Sequence, residues 1–183
     1  MRSYDFGDVY DCRDVPGVEH FIIVLGVYKE EDKSYILFEK VTSRVYKAFK
    51  KLCVFFDSNC VTKCNHFKKN FKDNDRIFHY GKLCNTLFLD KDENFCFSED
   101  SMIVIKGDPE KTDVAIFEEF IKGGLAKGVV RISNMDIYKL IAIIKNSENI
   151  SPPIDLAIRT SFNKVDKAIK EQKKKKLLKK MKK

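Results

Sequence analysis

The 183-residue chain is predicted to be an α+β protein, with a β-barrel domain over about residues 1–110 and helices after it. Two changes of pattern predict this. Up to about Ile105, short runs of Phe, Ile, Val and Tyr are broken by Asp, Asn, Lys and Gly, as in strands joined by turns. Beyond Gly107-Asp108-Pro109 the apolar residues recur at the helical period. A length of 183 residues is enough for one domain with a proper core, or a domain plus an extension, and a hydrophobic content of 44% fits a globular protein.

The strand runs, in order, are 6–10, 19–28, 34–42, 52–56, 76–80, 86–90, 94–97 and 101–105. Glu30-Glu31-Asp32-Lys33 reads as a charged hairpin turn between the second and third, and Asp90-Lys91-Asp92-Glu93-Asn94 as a later one. Residues 57–75 are polar and lysine-rich and read as an insertion. A first helix places Val114, Phe117, Phe120 and Ile121 on one face and stops at Gly123-Gly124. The run 123–128 reads as a helix stop and connector, because it lacks a Walker pattern and follows a helix. A second helix starts at Ser133, with Asp136 as its capping partner and Ile137, Leu140, Ile141 and Ile144 on its apolar face. A third starts at Ser151, with Pro152 in the first helical position, and carries Ile154, Ala157, Ile158, Phe162, Val165 and Ile169. Residues 111–163 are thus helices expected to pack on the barrel, and 164–183 a basic tail, helical or disordered.

The formal net charge of +8 resides in that tail. Residues 164–183 hold 11 Lys against Asp166 and Glu171, so the remainder is close to neutral. Lys173, Lys174, Lys175, Lys176, Lys179 and Lys180 are the candidate nucleic-acid contacts, acting on phosphate without reading sequence. The tail has no aromatic residue, so base stacking is not expected there. An acidic protein or an anionic membrane face would also attract it, and a solvated terminus is the plain alternative.

No run approaches the roughly 18 apolar residues of a membrane span. Met1-Arg2-Ser3-Tyr4-Asp5 lacks the apolar core of a signal peptide, which predicts a cytoplasmic protein with mostly reduced cysteines. No cofactor is expected, with one exception. Cys60 and Cys64, followed by His79 and Cys84 and with His66 nearby, are four soft ligands in two pairs that would hold a tetrahedral Zn²⁺ and pin the insertion. The spacing is looser than a Cys-x2-Cys knuckle, and cysteine in apolar strands also serves as a small hydrophobe.

The barrel opening, Gly7-Asp8-Val9-Tyr10, then His20-Phe21-Ile22-Ile23-Val24-Leu25, then Val41-Thr42-Ser43-Arg44, would bring the start of the second strand to the end of the third. His20, Thr42, Ser43 and Arg44 are the candidate catalytic group: a titratable imidazole, two hydroxyls and a fixed cation, suited to holding a phosphate. The structural alternative is a histidine that merely begins a strand, beside ordinary turn residues.

These three segments resemble the MazF/PemK-like toxins, small SH3-like barrels that act as endoribonucleases. In that family a Gly-Asp-hydrophobic strand, an Arg-Pro-aliphatic strand and a strand ending in Thr-Ser follow in this order. Asn94 to Ile103 also looks like a segment of divergent, phage- or plasmid-borne relatives. The resemblance covers roughly 100 residues of barrel, and its motifs are short. It implies metal-independent cleavage of single-stranded RNA, and a protein antitoxin or homodimer as partner. His20 stands where the family has its catalytic Arg, and Phe21 where it has Pro.

Such cleavage uses the neighbouring 2′-OH and needs a base, an acid and donors for the growing charge. His20 would be base or acid, and Thr42, Ser43 and Arg44 the donors; Asp8, Asp11 and Glu19 are candidates for the second proton transfer. The rival reading is a non-enzymatic module binding nucleic acid or protein, or a phage- or virion-associated structural protein. The zinc clip is checked by metal analysis: stoichiometric zinc after purification without added metal supports it, and a trace contradicts it.

Overall fold

The computed structural model describes residues 4–41, 76–80, 84–86, 94–96, 101–105, 107–147 and 149–181. The strands among the described residues are β1 (Asp8–Cys12), β2 (His20–Glu30), β3 (Lys33–Val41), β4 (Arg76–Tyr80), β5 (Cys84–Thr86), β6 (Asn94–Cys96), β7 (Ser101–Ile105), β8 (Glu110–Asp113) and β9 (Lys127–Arg131). The helices among the described residues are α1 (Val114–Lys122), α2 (Asn134–Lys145) and α3 (Pro152–Met181).

Five strands form one antiparallel sheet in the order β8-β3-β2-β1-β9, and β4–β7 and β5–β6 form separate two-stranded ladders. The α+β class is as the patterning predicts, but the large sheet is open. Its end strands, β8 and β9, do not pair with one another. The reason is legible in β2 and β3. Successive strand residues face opposite sides, and here both sides are apolar. Val9, Ile23, Leu25, Leu37 and Val130 face a core shared with α2, α3 and Ile103 and Ile105 of β7. Tyr10, Cys12, Ile22, Val24, Ile36 and Phe38 face a second core under α1, around Phe117. A barrel keeps one face of its strands inside and leaves the other to solvent; a sheet apolar on both faces is covered by helices instead.

Each helix begins as its sequence directs. The Asp113 carboxylate caps α1 by accepting from the Ala115 N–H at 2.8 Å. In α2, Ser133 Oγ accepts from the Asp136 N–H at 3.2 Å and donates to the Asp136 carboxylate at 2.7 Å. Ahead of α3, the Ser151 N–H donates to Asp108 at 2.6 Å. Gly124, with φ +75, ends α1 in the left-handed conformation that favours glycine. The connector expected at 123–128 is shorter than predicted, because Lys127–Arg131 adds to β1 as an edge strand. Its lysine, glycine and arginine hide the strand pattern, as an edge permits. The short β8 was likewise not predicted. The predicted run 52–56 and the insertion 57–75 lie outside the described residues.

One contact places α3. Between Val24 and Gly26 the β2–β3 register shifts by a bulge, so Leu25 and Gly26 both turn to the α3 side. A Cβ on Gly26 would lie 3.1 Å from the Ser161 Cβ and 3.2 Å from the Ala157 carbonyl oxygen. Glycine therefore lets α3 lie directly on the sheet. Gly26→Val should destabilise the fold by about 1–3 kcal/mol through overpacking, read as a lower urea midpoint with unchanged slope. An unchanged midpoint would mean that α3 does not sit so close.

Candidate functional site

The sequence-predicted catalytic group is only in part within the described residues. His20 opens β2, pairs with Cys12, and is half-buried. The residues before it fold back on themselves, with the Val15 N–H bonded to the Cys12 carbonyl and the Glu19 N–H to the Val15 carbonyl. This leaves Glu19 at φ 52, an uncommon value for a residue with a side chain. Phe21 pairs with Val41, so the start of β2 runs beside the end of β3. Thr42, Ser43 and Arg44 lie outside the described residues.

The proposed second proton-transfer residues are mostly committed elsewhere. Asp11 pairs with Phe21, on the sheet face opposite to His20, and is held by Arg13 at 2.9 and 2.7 Å. Arg13 in turn lies 4.8 Å over the Phe21 ring. Asp8 is buried and receives the Arg131 Nε at 2.7 Å and the Asp5 N–H at 2.9 Å. Arg131 also donates to Asp5 at 3.0 Å, and Lys164 of α3 reaches Asp5 at 2.6 Å. Burial pushes the Asp8 carboxyl up from its ordinary value, against the pull of Arg131. This four-residue ion cluster ties β1, β9 and α3 together.

Lys40, which sequence reasoning passed over, lies on the His20 face of the sheet, paired with Ile22. Its Nζ meets Glu110 at 3.0 Å and the Gly17 carbonyl at 3.3 Å. Its neighbour Glu39 faces the other way, among the α3-side apolar residues, opposite Ile23. Burial, with a contribution from Glu110, pushes the Glu39 carboxyl up to about 8. The signal for both was a Glu-Lys pair interrupting an otherwise apolar strand.

Of the zinc candidates, His79 lies in β4 opposite Met102 and Cys84 in β5 opposite Cys96, while Cys60, Cys64 and His66 lie outside the described residues. Among the described residues no three His, Cys, Asp or Glu side chains are grouped to hold a metal ion. Cys12 is buried, and its thiol is pushed up to about 12 by burial first and by Asp11 second, so it is an inert core residue.

The basic tail is helix. α3 runs unbroken to Met181, and Lys173, Lys174, Lys175, Lys176, Lys179 and Lys180 are all exposed. Its charges divide at Lys170. Up to there, Arg159 pairs with Asp155, Lys164 with Asp5 and Lys170 with Asp166, each at 2.6 Å. The six lysines beyond make no ion pair among the described residues. No described helix is long and apolar enough to cross a membrane.

Comparison with known proteins finds no matching family model, no matching curated protein and no matching solved structure.

Two outcomes follow from this geometry. Asp8→Ala should cost about 2 kcal/mol or more, because it leaves the Arg131 guanidinium without its main partner; urea denaturation checks this. Glu39 keeps its proton to about 8 in the folded chain, against an ordinary 4.5, so the native state binds the extra proton between those values. Stability should therefore be greatest below the lower value and fall as pH rises through the upper one. Glu39→Gln should remove that slope and raise the melting temperature at alkaline pH by on the order of 5 °C. A Gln variant with the wild-type pH profile would show the slope to arise elsewhere.

Proposed function

We propose that this protein binds nucleic acid through the C-terminal end of α3. The carrying observation is the division of charge along that helix: three of its four cations up to Lys170 (Arg159, Lys164 and Lys170) are paired with carboxylates, and then come six exposed lysines unneutralised by the described residues. Such a segment gathers counterions, and their release on meeting phosphates drives association. Lysine offers point charges without a planar fork, and the segment has no aromatic side chain, so the grip is on the backbone and independent of sequence.

Fluorescence anisotropy with a short labelled single-stranded RNA tests this. The logarithm of the affinity should fall linearly with the logarithm of salt, at a slope of about −0.7 per phosphate neutralised. Changing the six lysines together to Gln should weaken binding by about 100-fold or more at low salt and flatten the slope. Salt-independent binding, or full affinity in the variant, contradicts the reading. Binding to anionic vesicles but not RNA would assign the segment to a membrane surface.

A second reading is metal-independent RNA cleavage, resting on the resemblance to MazF/PemK-like toxins. The pairing of Phe21 with Val41 supports it, since it sets the strand opened by His20 beside the strand that leads to Thr42, Ser43 and Arg44. His20 is then the acid or base and α3 holds the substrate. His20→Ala should abolish cleavage while leaving circular dichroism and RNA affinity unchanged; cleavage that survives removes His20 from the mechanism.

A further inference from the structure

The lysines of α3 are not spread evenly round the helix, and their phase relative to the core is informative. The buried stripe of α3 is Ile154, Ile158, Phe162, Val165 and Ile169, spaced by four, four, three and four. Continuing by four, three and four reaches Lys173, Lys176 and Lys180. At about 100° per residue, Lys175 and Lys179 lie to one side of this line. Lys174 and Leu178 fall on the opposite side, the side of exposed Leu156, with Leu177 beside them. The core-facing side of α3 thus changes from apolar to cationic after Ile169.

The change coincides with the end of the body. Tyr138 of α2 donates to Asp166 at 2.6 Å, and Ile169 is the last buried residue of the helix. From Lys170 to Lys180 every residue is exposed, so the helix overhangs for about 16 Å. Its underside, which would need apolar residues to dock on the chain's own core, carries lysines instead. A row of ammonium groups with no ion pair among the described residues, under an overhang, fits a polyanion laid against it, and the two lateral lysines extend the row to one side.

We infer that the overhang binds a nucleic-acid phosphodiester backbone on one side only, the side continuous with the core-facing stripe, so that the ligand lies between the helix and the α2 edge of the body. This rests on the phosphate-binding reading above and adds to it a direction. The outer side, with Lys174, Leu177 and Leu178, stays turned to solvent.

Rotating the overhang without changing its charge tests the direction. Two alanines inserted between Gln172 and Lys173 turn the segment by about 200°; four turn it by about 400°, within about 40° of its original phase. Binding of a short labelled single-stranded RNA is measured for the full chain and both insertions at one salt concentration, with helix content matched by circular dichroism. The two-residue insertion should lose about tenfold in affinity, equivalent to about 1.4 kcal/mol, and the four-residue insertion should stay within about threefold of the original. The salt slope should be shallower only for the two-residue insertion. Equal affinity in all three proteins, or equal loss in both insertions, overturns the one-sided site and leaves the charge reading intact. Failure of the unaltered chain to bind RNA overturns both.

Discussion

The close seating of α3 on β2 is the constraint from which the rest follows. A helix meets a sheet at this distance only where a side chain is missing, and Gly26 supplies that gap against Ala157 and Ser161. The bulge at Leu25 turns both it and Gly26 to the same side, so the strand offers an apolar residue next to a bare backbone. With α3 there, the sheet needs a second cover on its other face, and α1 gives it through Phe117. An open sheet between helical layers results, with no solvent face left to curl outward as a barrel.

Charge is handled differently at the two ends of α3. Near the sheet, the carboxylates of Asp5 and Asp8 are fastened by Arg131 and Lys164, joining the first strand, the last strand and the helix across a long stretch of chain. Burial works against ionising Asp8, so the cluster's worth lies in leaving none of its charges alone. Past Lys170 the helix has neither an apolar stripe nor carboxylate partners among the described residues. Lysine has good helix propensity, which lets the segment remain helical without tertiary support. One helix therefore serves both as the clamp on the sheet and as the cationic arm.

The helices were legible because their signals are local. Ser133 with Asp136, Gly123-Gly124, and Ser151 before Pro152 act within a few residues, and all mark the observed ends. The central strands were legible from their β-branched and aromatic runs, within a residue or two at each end. Closure of the sheet was not, because apolar residues on both faces of Ile22–Leu25 are equally consistent with a strand packed between layers. β9 was missed because Gly128 and the flanking Lys127 and Arg131 resemble a connector. At the candidate site, His20 could be located as a strand start, but the alternation that puts Asp11 on the other face depends on the β1–β2 register, which no short motif encodes. Lys40 and Glu39 were passed over for a related reason: adjacent polar residues in a strand point to opposite environments, and only the sheet shows which one is buried.

Native-state hydrogen exchange along α3, with and without RNA, tests the central claim most directly, since it separates the clamped part of the helix from the free part. The account predicts slow exchange through Ile169, limited by global unfolding, and fast exchange from about Lys173 onward in the free protein, with the latter slowed when RNA is added and the former unchanged. Uniform protection along the whole helix without RNA, or no change beyond Ile169 on adding it, would contradict the account.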